Sequence, residues 1–123
     1  MLGDPVPCVH HLALRAGGET VGWSRCGNPR DGVEDGTGEL HAINLLPDFW
    51  SQGLGSRLFR ASVEGLRQMG HVRAYLWVAK GNDRGITFYE KHGWALDGQF
   101  KDDAGFTPPL RELRMSARLF SNG

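Results

Sequence analysis

The sequence has few cysteines, no net charge and no long apolar run, and each shortage removes a class of protein. Its two cysteines, Cys8 and Cys26, are too few for a disulfide framework and do not form a CxxC pair, so we expect reduced thiols. Fourteen basic and fourteen acidic side chains cancel, so no overall charge favours nucleic acid or membrane partners. No apolar run approaches the roughly 18 residues of a membrane span, and no leader opens the chain. These absences predict a cytoplasmic protein.

Glycine, by contrast, is abundant. The chain holds 18 glycines in 123 residues, and many of them lie between Gly17 and Gly38, which predicts turns and a loop. The length fits one domain, residues 1–123, with a core of moderate size. Adjacent histidines, His10 and His11, point to opposite faces of a strand, so they predict no shared metal ion. The four tryptophans are expected to lie mainly in the core.

Residues 39–59 form the most informative segment, because a strand, a turn at Pro47, a glycine-bearing loop and a helix follow one another. Gly53 and Gly55 remove side chains where the chain turns or where a ligand approaches its backbone. The first N–H groups of the helix have no intrahelical partner, and they lie at the positive end of its dipole. This arrangement predicts a diphosphate site without a metal. Its donors would be the N–H groups of Gln52, Gly53, Leu54, Gly55, Ser56 and Arg57, with the Arg57 side chain adding charge.

Other phosphate loops fit this segment less well. A P-loop ends in Gly-Lys-Ser/Thr, whereas this chain has Gly55, Ser56 and Arg57. A dinucleotide-binding fingerprint needs a third glycine where Leu58 stands. These residues alone leave a second interpretation open, in which the two glycines only shape a tight turn between strand and helix.

Two segments in the right order then point to one family. Residues 50–55 match a loop with the pattern Gln/Arg-x-x-Gly-x-Gly/Ala, except that Trp50 stands at its first position. Residues 78–94 match a strand, an Asn, a short helix and Phe-Tyr-Glu-Lys-x-Gly-Phe, with Trp94 at the final position. Both motifs resemble those of the GNAT superfamily of N-acetyltransferases, and the resemblance covers residues 8–119. The chain therefore resembles an acetyltransferase that uses acetyl-CoA.

The resemblance implies a fold of the α+β class, with an α/β-like order of elements. Its central sheet is mixed but mostly antiparallel, with one splayed parallel strand pair and helices packed on it. The front strand and helices of the family have no counterpart here, which suggests a short form. Periodicity and turn residues predict strands over residues 9–15, 19–26, 39–46, 73–80, 94–101 and 110–119, and helices over residues 53–69 and 83–92.

The resemblance also assigns roles to single residues. Glu39 has the spacing of the catalytic glutamate found in the histone-acetylating branch, where it activates the amine, usually through water. Tyr89 matches the tyrosine that protonates the departing thiolate. The pantetheine arm would contact Asn82 and the backbone of Ile43, Leu45 and Leu46, and the Ile43 N–H would polarise the acetyl carbonyl. His41 is the second candidate for the base, although a lone strand histidine is more often structural.

These observations together predict an acetyl-CoA-dependent N-acetyltransferase. The acetyl group would move to a primary amine of a small molecule or peptide by direct attack in a ternary complex. Two alternatives stay open, a coenzyme A-binding module without turnover and a protein or peptide N-acetyltransferase. No metal, nucleic acid or membrane partner is expected. The first strand would have an uncovered edge, which predicts a homodimer.

Overall fold

Residues 9–120 are described by the computed structural model, and they form one six-stranded sheet with two helices. The order of strands across the sheet is β1-β2-β3-β4-β6-β5, and every neighbouring pair is antiparallel except β3 and β4. This mixed sheet confirms the predicted fold class. The elements are β1 (Val9–Ala16), β2 (Glu19–Gly27), β3 (Thr37–Leu45), α1 (Leu54–Gln68), β4 (Arg73–Ala79), α2 (Asp83–Lys91), β5 (Ala95–Asp103) and β6 (Leu110–Arg118).

Local sequence explains most element ends. Gly17 and Gly18 both have positive φ, at 59° and 85°, as a tight turn between β1 and β2 requires. Gly53 precedes α1 in the left-handed conformation, with φ 79°. The Asn82 side chain caps α2 by accepting a hydrogen bond from the Gly85 N–H at 3.0 Å. The predicted helices are therefore confirmed to within one residue at each end, whereas β3 begins two residues before the predicted Glu39.

The hydrophobic core lies between the two helices and one face of the sheet. Alternate residues of β4, Ala74, Leu76 and Val78, face this core, where they meet Phe59 and Leu66 of α1. Trp94 is buried in the same cluster. The expectation that the tryptophans lie mainly in the core is wrong for three of the four, because Trp23 is 46% exposed, Trp50 is 42% exposed, and Trp77 is not part of the core cluster. Trp77 faces away from the core because it alternates with Leu76 and Val78.

The parallel pairing between β3 and β4 is short. Only Thr37, Gly38 and Glu39 pair with β4, opposite Arg73, Ala74 and Tyr75. Beyond that point β3 continues to Leu45 beside β2, while β4 continues to Ala79 beside β6. The two strands therefore diverge and leave a gap, which we call the splay. The predicted splayed parallel pair is confirmed.

One edge of the sheet is formed by β1, whose only partner among the described residues is β2. The homodimer that would cover this edge stays a prediction. Cys26 is buried as a free thiol, and burial raises its pKa to about 11. Cys8 and the first residues of the chain lie outside the described range. Neither described helix has the length and apolar character that a membrane crossing requires.

Gly38 provides a test of how closely α1 packs beside the splay. A Cβ atom at Gly38 would lie 2.7 Å from His71 Cδ2 and 2.8 Å from Leu66 Cδ2. We expect Gly38→Ala to lower the free energy of unfolding by roughly 1–3 kcal/mol, because overpacking a full core forces its neighbours to shift. Urea unfolding should show a lower midpoint with an unchanged slope.

The matched control is Gly32→Ala. A Cβ atom at Gly32 meets no other atom within 4 Å, so this variant should unfold at nearly the wild-type midpoint. Equal midpoints for the two variants would contradict the packing argument at Gly38.

Candidate functional site

The splay exposes backbone groups of β3 that a regular sheet would pair. The Leu46 N–H donates to the Val21 carbonyl at 2.8 Å, and backbone groups alternate in direction along a strand. The backbone groups of Ile43 and Leu45 therefore point away from β2 and into the splay. Leu46 differs, because its carbonyl also has a partner, the Phe49 N–H at 2.9 Å. Of the three residues predicted to contact a pantetheine arm, two present backbone groups to the splay.

The glycine-bearing loop lies at the start of α1. The first intrahelical bond that joins the loop to the helix is from the Arg57 N–H to the Gly53 carbonyl, at 3.2 Å. The N–H groups of the three preceding residues, Leu54, Gly55 and Ser56, consequently have no partner inside the helix. A Cβ atom on Gly53 would meet nothing within 4 Å, so the loop has open space beside it. The geometry suits an anion such as a diphosphate.

Trp50 and Arg84 connect this loop to α2. The Arg84 guanidinium carbon lies 3.9 Å from the centroid of the Trp50 ring, which is a close cation–π contact. The indole Nε1–H donates to the Leu45 carbonyl at 2.8 Å, so the ring is held in place from its other end. Trp50 occupies the first position of the loop motif, where the family pattern has Gln or Arg. The contact therefore places the positive charge of Arg84, a residue of α2, beside the loop.

The Glu39 side chain is fully buried, at 0% exposure, and is surrounded by donors. Arg30 donates three hydrogen bonds to it, from the backbone N–H at 2.9 Å, from Nε at 3.2 Å and from Nη2 at 2.7 Å. The Tyr75 hydroxyl lies 3.2 Å from the same carboxylate. The bond to Glu39 raises the pKa of Arg30 above its ordinary value. Glu39 thus joins the loop of residues 28–36 to the paired end of β3 and β4.

A second carboxylate extends this network along β4. Asp31 accepts hydrogen bonds from the Tyr75 hydroxyl at 2.8 Å and from Trp77 Nε1 at 2.9 Å. Burial opposes the charge of Asp31, but the bonds from Trp77 and Tyr75 outweigh it and lower its pKa. Burial, together with the bond to Asp31, raises the pKa of Tyr75 well above its ordinary range. Tyr75 is therefore a neutral donor in this network.

Tyr89 lies on α2, and its ring packs against Phe59 and Phe88, with centroids 5.8 Å and 5.5 Å away. Its hydroxyl makes no hydrogen bond with another described residue. Burial raises the pKa of Tyr89, which keeps the phenol protonated at neutral pH. The residue therefore has the protonation state that an acid requires, in addition to a packing role.

A cavity of about 590 Å³ lies on the sheet face opposite the core. Its wall includes Trp77 and Ala79, which alternate with the core residues of β4, and His41 of β3. The turn between β5 and β6 closes another side. Carboxylates are prominent among the remaining lining residues, which are Arg30, Lys101, Asp102, Asp103, Ala104, Leu110 and Glu112. Asp102 and Asp103 lie beyond the end of the strand predicted over residues 94–101, whereas in the structure they are the last two residues of β5.

Several of these residues carried no signal in the sequence. Arg30 stands nine positions before Glu39 in a glycine-rich loop, and only the tertiary structure brings the two together. The contact between Arg84 and Trp50 likewise joins two segments that are 34 positions apart. The one available hint was the unusual tryptophan at the first position of the loop motif.

Comparison with known proteins agrees with this geometry. The sequence model of the acetyltransferase (GNAT) family matches residues 3–94. The chain is 31% identical to a mycothiol acetyltransferase of Paenarthrobacter aurescens over 85 residues, which cover 68% of this chain and 26% of the relative. An uncharacterized N-acetyltransferase of Archaeoglobus fulgidus is 31% identical over 74 residues, 58% of this chain and 50% of the relative. The chain thus spans a quarter to a half of the length of these curated relatives.

A solved structure with the same fold is the ribosomal-protein-S18-alanine N-acetyltransferase of Escherichia coli. The TM-score is 0.75 at 20% identity, with 97% of this chain and 74% of that chain covered. The PaiA N-acetyltransferase of Thermoplasma acidophilum, solved in complex with coenzyme A, gives a TM-score of 0.70 at 18% identity, with coverage of 89% and 60%. With its family motifs, its splayed sheet and the match over residues 3–94, the chain belongs to the GNAT family of acetyltransferases.

Proposed function

We propose that this chain is a single-domain, acetyl-CoA-dependent N-acetyltransferase that acetylates a primary amine by direct attack. The observation that carries the proposal is the splay. It lies between the free N–H groups at the start of α1 and a cavity whose lining includes carboxylates. A thioester in the splay would have its phosphates at α1, and an amine would approach from the cavity. The two cations there, Arg30 and Lys101, are paired with Glu39 and Asp31, so the carboxylates favour a cationic acceptor. A cytoplasmic location is part of the same proposal.

The donor side is assigned to residues with free groups. The loop of residues 52–57 would hold the diphosphate through backbone N–H groups, and Asn82 would contact the pantetheine arm. Ile43 offers both of its backbone groups to the splay, and Leu45 offers its N–H, since the Leu45 carbonyl already accepts from Trp50 Nε1. We assign the amide contacts to these groups. The Ile43 N–H would polarise the acetyl carbonyl, an oxyanion-type contribution.

The reaction moves protons on both sides, because the ammonium nitrogen loses two before it becomes an amide and the leaving sulfur gains one. The amine must lose a proton, since an ordinary alkylamine is mostly protonated at neutral pH. Its nitrogen then bonds to the carbonyl carbon, and the bond between that carbon and sulfur breaks. Tyr89 would give its proton to the sulfur and regain one from solvent. Glu39 would serve the amine side, although it does not line the cavity and already accepts bonds from Arg30.

The direct test is acetyl transfer from acetyl-CoA to a panel of amines, followed by thiol release. The panel should include small alkylamines and a peptide with an N-terminal alanine, because the relatives named above act on a small molecule or a ribosomal protein. Transfer to any of them supports the proposal, and the preferred acceptor separates small-molecule from peptide specificity. Tight binding of acetyl-CoA without transfer to any amine would instead identify a coenzyme A-binding module.

A charge at Gly53 tests the diphosphate loop. Acetyl-CoA should raise the melting temperature of the wild-type protein by several degrees, because a ligand that binds only the folded state stabilises it. Gly53→Asp should remove this shift, since its carboxylate would face the phosphates. Gly53→Asn, with the same shape and backbone strain but no charge, should keep most of it. Equal shifts in both variants would show that the loop does not contact the diphosphate.

Tyr89→Phe tests the acid. The variant keeps the ring that packs on Phe59 and deletes only the hydroxyl. We expect kcat to fall roughly 10²-fold, as is typical for loss of a general acid, with the melting shift by acetyl-CoA unchanged. Steady-state kinetics with saturating amine would measure this. Full activity would leave Tyr89 with a packing role only.

Arg84→Gln tests the charge that Trp50 holds beside the loop. The variant should bind coenzyme A roughly tenfold more weakly, because a hydrogen bond to a charged group is worth about 1.5–3 kcal/mol. Titration calorimetry would measure the affinity. Arg60→Gln removes the same charge from an exposed position of α1 and is the control. If the two variants lost equal affinity, the effect would be general electrostatics and not a specific contact.

A further inference from the structure

His41 occupies an irregular position at the opening of the splay. The register between β2 and β3 shifts there, because Cys26 pairs with Leu40 while Arg25 pairs with Ala42. His41 is therefore the extra residue of a β-bulge, two positions after the last residue of β3 that pairs with β4. Bulges redirect side chains, and they are frequent beside active sites. The His41 side chain is only 3% exposed and lines the cavity.

The hydrogen bond on one ring nitrogen determines the tautomer of His41. Nε2 lies 2.8 Å from the Asn28 carbonyl oxygen, which accepts hydrogen bonds and cannot donate them. Nε2 therefore carries the proton in the neutral ring, and Nδ1 keeps its lone pair. Nδ1 is buried, and no other described residue bonds to it. A buried acceptor without a partner costs roughly 1–3 kcal/mol, so its presence beside a cavity calls for an external partner.

The partner that fits is a cationic amine. The cavity that His41 lines also contains three carboxylates, Asp102, Asp103 and Glu112, and two cations, Arg30 and Lys101, which are paired with Glu39 at 2.7 Å and with Asp31 at 3.9 Å. Asp102 is paired with Arg111 at 2.8 Å, and Asp103 accepts from the Gly105 N–H at 2.8 Å. The Glu112 carboxylate makes no ion pair or hydrogen bond with another described residue, so it is available to an ammonium group. An ammonium ion in this cavity could donate to Nδ1 and be held by Glu112.

Glu39 is less suited to take a proton from the amine. Its carboxylate already accepts three hydrogen bonds from Arg30 and lies beside Tyr75. It stands 3.6 Å from His41 Nε2, on the side of the ring opposite to Nδ1. A carboxylate at that distance attracts a positive charge on the ring. Glu39 would then act as a positioning residue.

We propose that His41 Nδ1 is the base that deprotonates the acceptor amine, with Glu39 behind the ring; this rests on the proposed acetyl transfer. One amine proton moves to Nδ1, which makes His41 an imidazolium. The nitrogen lone pair forms the C–N bond, the C–S bond breaks, and Tyr89 protonates the sulfur. The new amide nitrogen releases its second proton to solvent, from which Tyr89 regains one. The imidazolium afterwards returns its proton to water.

The main test is His41→Gln. A glutamine amide can still donate to the Asn28 carbonyl, so the variant keeps the structural bond and loses the base. We expect kcat with an alkylamine to fall between about 10²-fold and 10⁴-fold, the usual contribution of acid–base catalysis. The melting temperature and its shift by acetyl-CoA should match the wild type. With methoxyamine, whose nitrogen is unprotonated at neutral pH, the loss should be much smaller. An active wild type and an equally active variant would overturn the proposal.

A second measurement works whether or not transfer is detected or the variant folds. Nitrogen-15 NMR of the wild-type protein should show His41 as the Nε2–H tautomer, and n-butylamine should shift the Nδ1 resonance on titration. A protonated Nδ1 in the free protein, or a resonance that does not respond to the amine, would exclude His41 as the base. A wild-type protein that transfers acetyl to no amine but shows the NMR response to n-butylamine would contradict the proposed acetyl transfer and leave the amine contact at His41 standing.

Discussion

The parallel pairing between β3 and β4 ends at Glu39 and Tyr75, and the candidate site depends on that end. If the ladder had continued, the backbone groups of Ile43 and Leu45 would bond to β4, and no room would exist between the strands. The divergence supplies free donors and acceptors without exposing a sheet edge to another chain. Helix α1 lies against one face of the sheet, and the cavity lies on the other.

The buried carboxylate of Glu39 explains how the end of the pairing is held. An isolated charge on the buried carboxylate would be costly, so its hydrogen bonds from Arg30, whose own side chain is 54% exposed, offset that cost. Arg30 supplies both a guanidinium and a backbone N–H, so the loop of residues 28–36 is fastened at the point of divergence. Asp31 then ties the same loop to Tyr75 and Trp77. The network therefore shapes one wall of the cavity before any substrate arrives.

The Trp50 position shows how a departure from a motif is absorbed. A glutamine or arginine there would offer its own polar group to a phosphate. The indole instead bonds to the Leu45 carbonyl and carries the Arg84 guanidinium on its face. Aromatic rings suit this task, because an arginine stacks on them and keeps its donors free. The contact also links the loop to α2, so both walls of the donor side are held together.

The sequence by itself determined the fold class, the order of elements, both helices and the loop before α1. These features depend on local periodicity, on turn glycines and on two motifs, all of which lie within short stretches of chain. Only the tertiary structure decided that Arg30 pairs with Glu39, that Arg84 lies on Trp50, and that His41 keeps a buried nitrogen without a partner. The residues of each pair are far apart in sequence or on different elements. The bulge at His41 has no local signature, because a one-residue register shift depends on the neighbouring strand.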